Sequence, residues 1–292
     1  MKEVKVGIIG FGTVGAGVAA NILGNSDVIA KRANVKLVLS RIADLDITTD
    51  RGVKIPEGVL TTDAAEAIRE SDIVVELVGG TTVAKKFILD AIQAGKPVVT
   101  ANKALLALHG EEIFAAAEKA GVDVYYEASV AGGIPIIKVL REGLVANRFS
   151  LIYGILNGTC NYILTRMERE NAPYETIVAD ARRLGYVEAD ESLDIDGWDA
   201  AHKISILAYL AHGVWASPER DMLVSGIRGI SLEDMHWARE NNFRVKLVAS
   251  ARKSGDALSV SVYPALLPLS DVVANVNEVY NAVALSGDVV GR

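Results

Sequence analysis

The chain has 292 residues, of which half are hydrophobic, with a formal net charge of −7 and a single cysteine. This length suffices for two domains with buried cores, and the dispersed acidic charge argues against a nucleic acid or an anionic membrane as partner. One cysteine excludes an internal disulfide, and no apolar run approaches the ~20 residues that a membrane helix needs. The N-terminus MKEVKVGIIG does not resemble a signal peptide, so we expect a cytoplasmic protein.

The first half of the chain alternates apolar, β-branched segments with segments of helical spacing. The predicted strands are VKVGIIG, VKLVLS, DIVVELV, KPVVTA and VDVYYEA, and the predicted helices are TVGAGVAANIL, TTDAAEAIRES, TVAKKFILDAIQAG and GEEIFAAAEKAG. Strands that alternate with helices of this length are typical of βαβ units built on a parallel sheet.

A glycine motif lies where the first strand meets the first helix. Gly10, Gly12 and Gly15 form G-x-G-x-x-G in GIIGFGTVGAGV. Such glycines permit a tight turn and let a pyrophosphate approach the helix N-terminus, where free N–H groups favour negative charge. We therefore predict that residues 1–134 form a Rossmann-type dinucleotide-binding domain, with Thr13 and Val14 also contacting the cofactor. A glycine-rich turn without a ligand is the alternative.

The end of the second strand should indicate which cofactor is bound. A carboxylate there would bind the ribose 2′-hydroxyl of NAD, whereas LVLSRIAD carries Ser40 and Arg41. An arginine suits a 2′-phosphate, and Lys54 in the following loop could reach the same group. We predict NADP as the preferred cofactor, with NAD as a second possibility. Arg41 as an ordinary surface residue is the alternative.

Two further stretches end where ligands bind parallel sheets, outside the carboxyl ends of the strands. VVELVGG ends in Gly79 and Gly80, which allow close approach of a cofactor to the backbone. PVVTANKALLA ends in Asn102 and Lys103, and we predict that Lys103 faces the nicotinamide or the substrate. A loop cation without a role is the alternative for Lys103.

The grouping of elements changes near residue 135. A strand, RFSLIYGILNG, precedes the helical stretches TCNYILTRMERE, YETIVADARRLG and GWDAAHKISILAYLAHG, and the strands RVKLVASARK, ALSVSVYPALL and EVYNAVALSG follow. Segregated strands and helices predict an α+β domain over residues 135–292.

The stretch GYVEADESLDIDGWDAAHK is dense in carboxylates and ends at a lysine. Asp199 and Lys203 lie four residues apart on one face of a predicted helix, beside an apolar run. The functional interpretation is a site for an ammonium group, with Lys203 nearby. A surface ion pair, a solvated acidic loop and a metal site are the alternatives, and the spacing does not match a calcium loop.

Five stretches occur in order along the chain: GFGTVG, TANKALLA, EASVAGGIPI, GILNGTCNYILT and GYVEADESLDIDGWDAAHK. Together they closely resemble homoserine dehydrogenase. The resemblance implies NAD(P)-dependent interconversion of L-homoserine and L-aspartate 4-semialdehyde, a hydride transfer in threonine and methionine biosynthesis. It also implies a homodimer built through the second domain.

The resemblance assigns roles residue by residue. Lys203 matches the family's catalytic lysine and Asp199 its carboxylate partner, while Lys103 matches a lysine near the nicotinamide and the reacting carbon. A lysine ammonium can stabilise a growing alkoxide and give it a proton. The implied substrate-binding residues are Glu188, which would hold the substrate ammonium, Asp194 and Thr159.

Two further expectations come from the same resemblance. The loop around Glu127, Val130 and Gly132 resembles a segment that binds a sodium ion, mostly through main-chain oxygens, in some members. Typical members continue beyond LSGDVVGR with a glycine-rich strand-turn and a helix, so we expect the family's C-terminal tail to be absent from this sequence.

Two other functions remain open from the residues. Cys160, at a predicted helix start, could act as the nucleophile of a phosphorylating semialdehyde dehydrogenase. The second function is that of a nucleotide-binding protein without turnover. Binding of NADPH without any reaction of homoserine would indicate this function.

Overall fold

The structure is a computed structural model that describes residues 1–184 and 191–291. The chain divides into two units, Met1–Ser129 and Val130–Arg292; the boundary predicted from the sequence is at residues 134–135. Within the described ranges, no helix is long and apolar enough to cross a membrane.

The first unit contains six strands and five helices among its described residues. The strands are β1 (Lys2–Ile9), β2 (Val35–Ala43), β3 (Leu60–Thr61), β4 (Ile73–Glu76), β5 (Val98–Thr100) and β6 (Val124–Tyr125). The helices are α1 (Thr13–Gly24), α2 (Ser26–Ala33), α3 (Ala64–Arg69), α4 (Thr82–Gln93) and α5 (Lys103–Ala120), and a 3₁₀ turn follows at Glu127–Ser129. Buried residues on α4 recur at helical spacing, at Ala84, Ile88, Ala91 and Ile92, so this helix packs its apolar stripe on the core.

The six strands form one sheet in the order β3-β2-β1-β4-β5-β6, and every neighbouring pair is parallel. The chain proceeds outward on one side of β1 and then crosses to β4 on its other side. The strand order therefore reverses between β1 and β4, which is the position where open parallel sheets bind ligands. The predicted α/β fold with a Rossmann-type parallel sheet is confirmed.

The second unit contains five strands and six helices among its described residues. The strands are β7 (Phe149–Ile155), β8 (Met222–Val224), β9 (Phe243–Ser254), β10 (Ala257–Pro268) and β11 (Ala282–Gly287). The helices are α6 (Ile136–Lys138, continued by a π-turn at Val139–Gly143), α7 (Gly158–Glu170), α8 (Tyr174–Arg183), α9 (Ser192–Ile195), α10 (Trp198–His212) and α11 (Leu232–Glu240), and a 3₁₀ turn lies at Val273–Asn275.

The sheet of the second unit has the order β11-β7-β9-β10-β8. Its pairs are antiparallel except β10 with β8. Helices α7, α10 and α11 pack against it. α10 buries Ala200, Ala201, Ile204, Leu207 and Ala208, so the apolar run noted in the sequence is its core-facing stripe.

Several element predictions need correction. α5 begins at Lys103, seven residues before the predicted helix at Gly110, because Asn102 caps it: the Asn102 side chain accepts a hydrogen bond from Leu105 N–H. The sequence interpretation also omitted α2, β8 and α11. α2 buries none of its residues, so it has no apolar stripe to reveal it.

Candidate active site

The three glycines of the motif, at the end of β1 and the start of α1, have different surroundings. Gly10 has φ +100°, and a Cβ there would lie 2.7 Å from the Leu77 carbonyl. A Cβ on Gly15 would lie 2.1 Å from the Gly10 oxygen, so this glycine permits close packing of α1 on the turn. A Cβ on Gly12 would meet nothing within 4 Å. That open space before α1 fits the approach of a pyrophosphate.

A cavity of about 370 Å³ lies beside this loop. Gly10 and Gly12 line it, with Asp44 and Leu45 after β2 and with Gly79 after β4. The remaining described lining residues are Ile9, Ala43, Thr62, Ala64, Leu77, Val78, Val83 and Phe87, so the wall is largely apolar. The loop and the cavity together fit a dinucleotide at the switch point of the sheet.

The prediction about the end of the second strand is corrected by the structure. β2 continues past Ser40 and Arg41 to Ala43, so the residue that follows the strand is Asp44. Among the described residues that line the cavity, Asp44 alone is charged. Its carboxylate accepts a hydrogen bond from Phe11 N–H. A carboxylate therefore stands where the sequence interpretation placed an arginine.

Arg41 is engaged elsewhere. Its guanidinium forms ion pairs with Glu66 at 2.9 Å and Glu70 at 3.0 Å, and it donates to the Ser40 carbonyl. The hydrogen bond to Glu66 raises the pKa of Arg41. Lys54, the second predicted phosphate ligand, is exposed.

A hydrogen-bond network joins the loops after β4 and β5. The buried Glu76 carboxylate accepts from Val78 N–H at 2.6 Å and from the Thr100 hydroxyl at 2.7 Å. Asn102 donates to the carbonyls of Val78 and Gly80. Burial raises the pKa of Glu76. The network fixes the loop that carries Gly79 and also the start of α5, where Lys103 lies.

In the second unit, Lys203 and Asp199 form the pair predicted from their spacing. Lys203 Nζ donates to Asp199 Oδ2 at 2.7 Å and to the Leu156 carbonyl at 2.7 Å. The two side chains are only 16% and 6% exposed, so this is not a solvated surface pair. The apolar stripe of α10 lies beside them and accounts for their burial.

Asn157 connects this pair to a second carboxylate. Its side-chain nitrogen donates to Asp199 Oδ2 and to Asp194 Oδ1, each at 2.8 Å, while its oxygen caps α7 at Cys160 N–H. The Thr159 hydroxyl donates to Asp194 Oδ2 at 3.0 Å. The structure therefore brings four predicted residues into one cluster, Thr159, Asp194, Asp199 and Lys203, and adds Asn157, which the sequence interpretation missed.

Comparisons with known proteins agree with both units. The family profile described as homoserine dehydrogenase, NAD binding domain, matches residues 10–127, and the profile described as homoserine dehydrogenase matches residues 135–292. The homoserine dehydrogenase of Neisseria gonorrhoeae is 44% identical over the whole chain, which spans 67% of that relative, and the one of Bacillus subtilis is 40% identical, with 68% spanned.

The chain belongs to the homoserine dehydrogenase family.

Solved structures of homoserine dehydrogenases have the same fold. The crystal structure from Thiobacillus denitrificans superposes with a TM-score of 0.94 at 43% identity, covering 100% of this chain and 68% of that chain. A hyperthermophilic archaeal homoserine dehydrogenase mutant in complex with NADPH gives a TM-score of 0.80 at 28% identity, covering 99% and 89%. The family is one of oxidoreductases, and the first unit is its NAD-binding domain.

The thiol required by the alternative dehydrogenase is unsuited to that role. Cys160 is fully buried, and its Sγ donates to the Asp194 carbonyl at 3.1 Å. Burial raises the pKa of this thiol well above its usual range, and the nearby carboxylates of Asp194 and Asp199 raise it further. A nucleophilic cysteine needs the opposite environment, so neither the geometry nor the homoserine dehydrogenase comparisons favour thioester chemistry.

Some predicted residues cannot be placed in the cluster. Glu188, the predicted ligand of the substrate ammonium, lies outside the described residues. Glu127 belongs to the first unit, whereas Val130 and Gly132 belong to the second. Among the described residues, no group of three or more His, Cys, Asp and Glu side chains could hold a metal. The predicted sodium site consists mostly of main-chain oxygens, which this side-chain result does not concern. The sodium site therefore stays a prediction.

Two residues of the candidate site had a signal in the sequence that was not used. Asp44 was part of the quoted LVLSRIAD but was placed beyond the strand end. Asn157 was part of the NGT segment, and an asparagine just before a helical run is a common N-cap.

Proposed function

We propose that this chain interconverts L-homoserine and L-aspartate 4-semialdehyde with a nicotinamide cofactor, in the biosynthesis of threonine and methionine. The observation that carries the proposal is the position of Lys203. Its ammonium is held between Asp199 and the Leu156 carbonyl, in a polar cluster that contains Asn157, Thr159 and Asp194.

The reaction moves a hydride and a proton. A bound nicotinamide supplies or accepts the hydride. Lys203 handles the proton at the substrate oxygen: its ammonium donates to the alkoxide as the aldehyde is reduced, and the amine accepts that proton when the alcohol is oxidised. Among the described residues, Asp199 and Leu156 engage two of its three N–H donors, so the third can donate to a substrate.

Asp199 and Asn157 orient Lys203. Asp199 Oδ2 accepts from both of them, and Asn157 is itself fixed by capping α7. Asp194 and Thr159 form the polar wall beside them, where hydrogen-bonding groups suit a small amino acid. Glu188 as the partner of the substrate ammonium, and Lys103 as a second catalytic cation at the nicotinamide, remain parts of the proposal that rest on the family resemblance.

The chain's own residues fit an NAD(P) cofactor through the open space at Gly12 and the cavity beside it. The choice between the two cofactors turns on Asp44 and Arg41. A 2′-phosphate would meet the Asp44 carboxylate unfavourably, and Arg41 would have to leave Glu66 and Glu70 to bind it. This geometry argues for NAD over NADP, in the opposite direction to the preference predicted from Ser40, Arg41 and Lys54.

We further propose a homodimer formed through the second unit, as the family resemblance implies, and we propose the sheet of that unit as its interface. Support comes from a hollow of about 360 Å³ on β7, β9 and β10, lined mainly by apolar and aromatic side chains that include Leu151, Tyr153 and Tyr263. Light scattering should give the mass of two chains, and Tyr263→Asp should give the mass of one. A wild-type mass of one chain would contradict the dimer.

The activity is tested by incubating the chain with L-homoserine and either NAD or NADP and recording reduced cofactor by absorbance. L-2-Aminobutyrate, which lacks the reacting hydroxyl, is the matched control. We expect reduced cofactor with homoserine alone. Binding of both cofactors with no reaction in either direction would instead indicate a nucleotide-binding protein without turnover.

A further inference from the structure

A segment formed by residues 276–281 lies along α7. Asn161 donates from its side-chain nitrogen to the carbonyls of Val276 and Tyr280, each at 3.1 Å. One turn later, the Thr165 hydroxyl oxygen accepts from Glu278 N–H at 3.2 Å. The segment is therefore fixed to the helix whose first turn carries Thr159.

A buried lysine anchors the start of this segment. Lys246 on β9 is 1% exposed, and its ammonium donates to Asn161 Oδ1 at 2.8 Å, to the Val276 carbonyl at 2.6 Å and to Asn277 Oδ1 at 3.2 Å. Three donors thus meet three oxygen acceptors, all of them uncharged.

Burial lowers the pKa of Lys246 to about 8. The charged groups that act on it are Arg244, Glu168, Arg169 and Glu278. An apolar side chain would fill this core position without the desolvation penalty of a buried cation, so the lysine needs a reason beyond packing.

The other end of the segment reaches the carbonyl that holds Lys203. The side-chain oxygen and nitrogen of Asn281 are both satisfied only when the nitrogen faces the end of β7, and in that orientation it donates to the Leu156 carbonyl at 2.9 Å and to the Ile155 carbonyl at 3.1 Å. The Leu156 carbonyl is the acceptor of Lys203 Nζ. Between the two ends, the Val279 carbonyl lies so close to Gly158 that a Cβ there would be 2.7 Å from it.

We propose that Lys246 is a positioning residue for Lys203: it clamps the 276–281 segment to α7, and through Asn281 the segment fixes the Leu156 carbonyl that aims the Lys203 ammonium. This inference rests on the proposed function, since it assumes that Lys203 transfers the proton. Lys246 acts only through the segment and is not a catalytic residue.

The test is a double-mutant cycle in turnover. Lys246→Met removes the clamp, Asn281→Ala removes the contact with Leu156, and Lys253→Met is the control, because Lys253 is an exposed lysine on the same strand. We expect each of the first two variants to lower kcat about tenfold or more while cofactor Kd stays unchanged. The double variant should be no slower than the slower single variant, because both act through one path.

The outcomes separate the possible failures. A purely structural Lys246 would lower the melting temperature and leave the kcat of the folded protein unchanged, which would overturn the inference. If Lys246→Met does not fold, Asn281→Ala decides: unchanged kcat overturns the inference, and a reduced kcat supports it. Normal turnover in Lys203→Met, or no homoserine turnover in the wild type, would instead remove the proposed function and the inference with it.

Discussion

Gly15→Ala tests whether the glycine loop is built as a cofactor site. The added Cβ would lie 2.1 Å from the Gly10 oxygen, whereas real Cβ contacts below 3.0 Å essentially never occur. Both sides of this contact are backbone or fixed to it, so no side chain can rotate away. The start of α1 must therefore move off the turn, and overpacking of this kind destabilises a protein by about 1–3 kcal/mol.

The same displacement moves the first-turn N–H groups away from the pyrophosphate. Loss of one hydrogen bond to a charged phosphate weakens binding by about 1.5–3 kcal/mol, which corresponds to a rise in cofactor Kd of roughly ten- to hundredfold. Urea unfolding gives the change in stability, and calorimetry with the cofactor gives the change in Kd.

Two other glycines provide matched controls. Gly17 lies exposed within α1, where a Cβ meets nothing within 4 Å, so Gly17→Ala should stabilise the chain by about 0.5–1 kcal/mol and leave Kd unchanged. Gly12→Ala should leave the stability of the free protein unchanged and still weaken cofactor binding. Wild-type stability and wild-type Kd in Gly15→Ala would refute this reading of the loop.

Four further substitutions test other parts of the site. Asp44→Asn should weaken the binding of NAD and strengthen the binding of NADP, and Arg41→Ala should leave the ratio of the two dissociation constants unchanged. A large loss of NADP affinity in Arg41→Ala would show that this arginine binds the 2′-phosphate after all. Cys160→Ser should keep wild-type turnover, and an inactive but folded variant would contradict the dismissal of thioester chemistry. Because burial raises the pKa of Glu76, the folded chain holds that proton to higher pH than the unfolded chain, and stability falls as the pH rises above the ordinary value of 4.5. Glu76→Gln should flatten that decline in urea unfolding between pH 5 and neutrality, and an unchanged slope would count against it.

The features that depend on local spacing were predictable from the sequence. The glycine motif requires only a strand followed by a helix, and Asp199 and Lys203 meet because four residues make about one helical turn. The pattern of strands and helices likewise predicted the parallel sheet, since it reflects burial on both faces of each strand.

The features that depend on distant partners were not predictable in the same way. Asn157 contacts Asp194 and Asp199, which lie 37 and 42 residues away. The end of β2 was misplaced because the register with β1 shifts between Val6 and Gly7, so the strand carries an irregularity at Ser40 and continues beyond it. Because of this shift, the residue that follows the strand is Asp44. The hydrophobic periodicity of a single sequence does not reveal such an irregularity.

The most direct test of the central claim is the turnover of Lys203→Met. Loss of the proton-transferring group should lower kcat for homoserine oxidation by at least about 100-fold, while the Kd of the cofactor, which binds the first unit, stays at its wild-type value. Lys253→Met should behave as the wild type. Near-normal kcat in folded Lys203→Met would contradict the account.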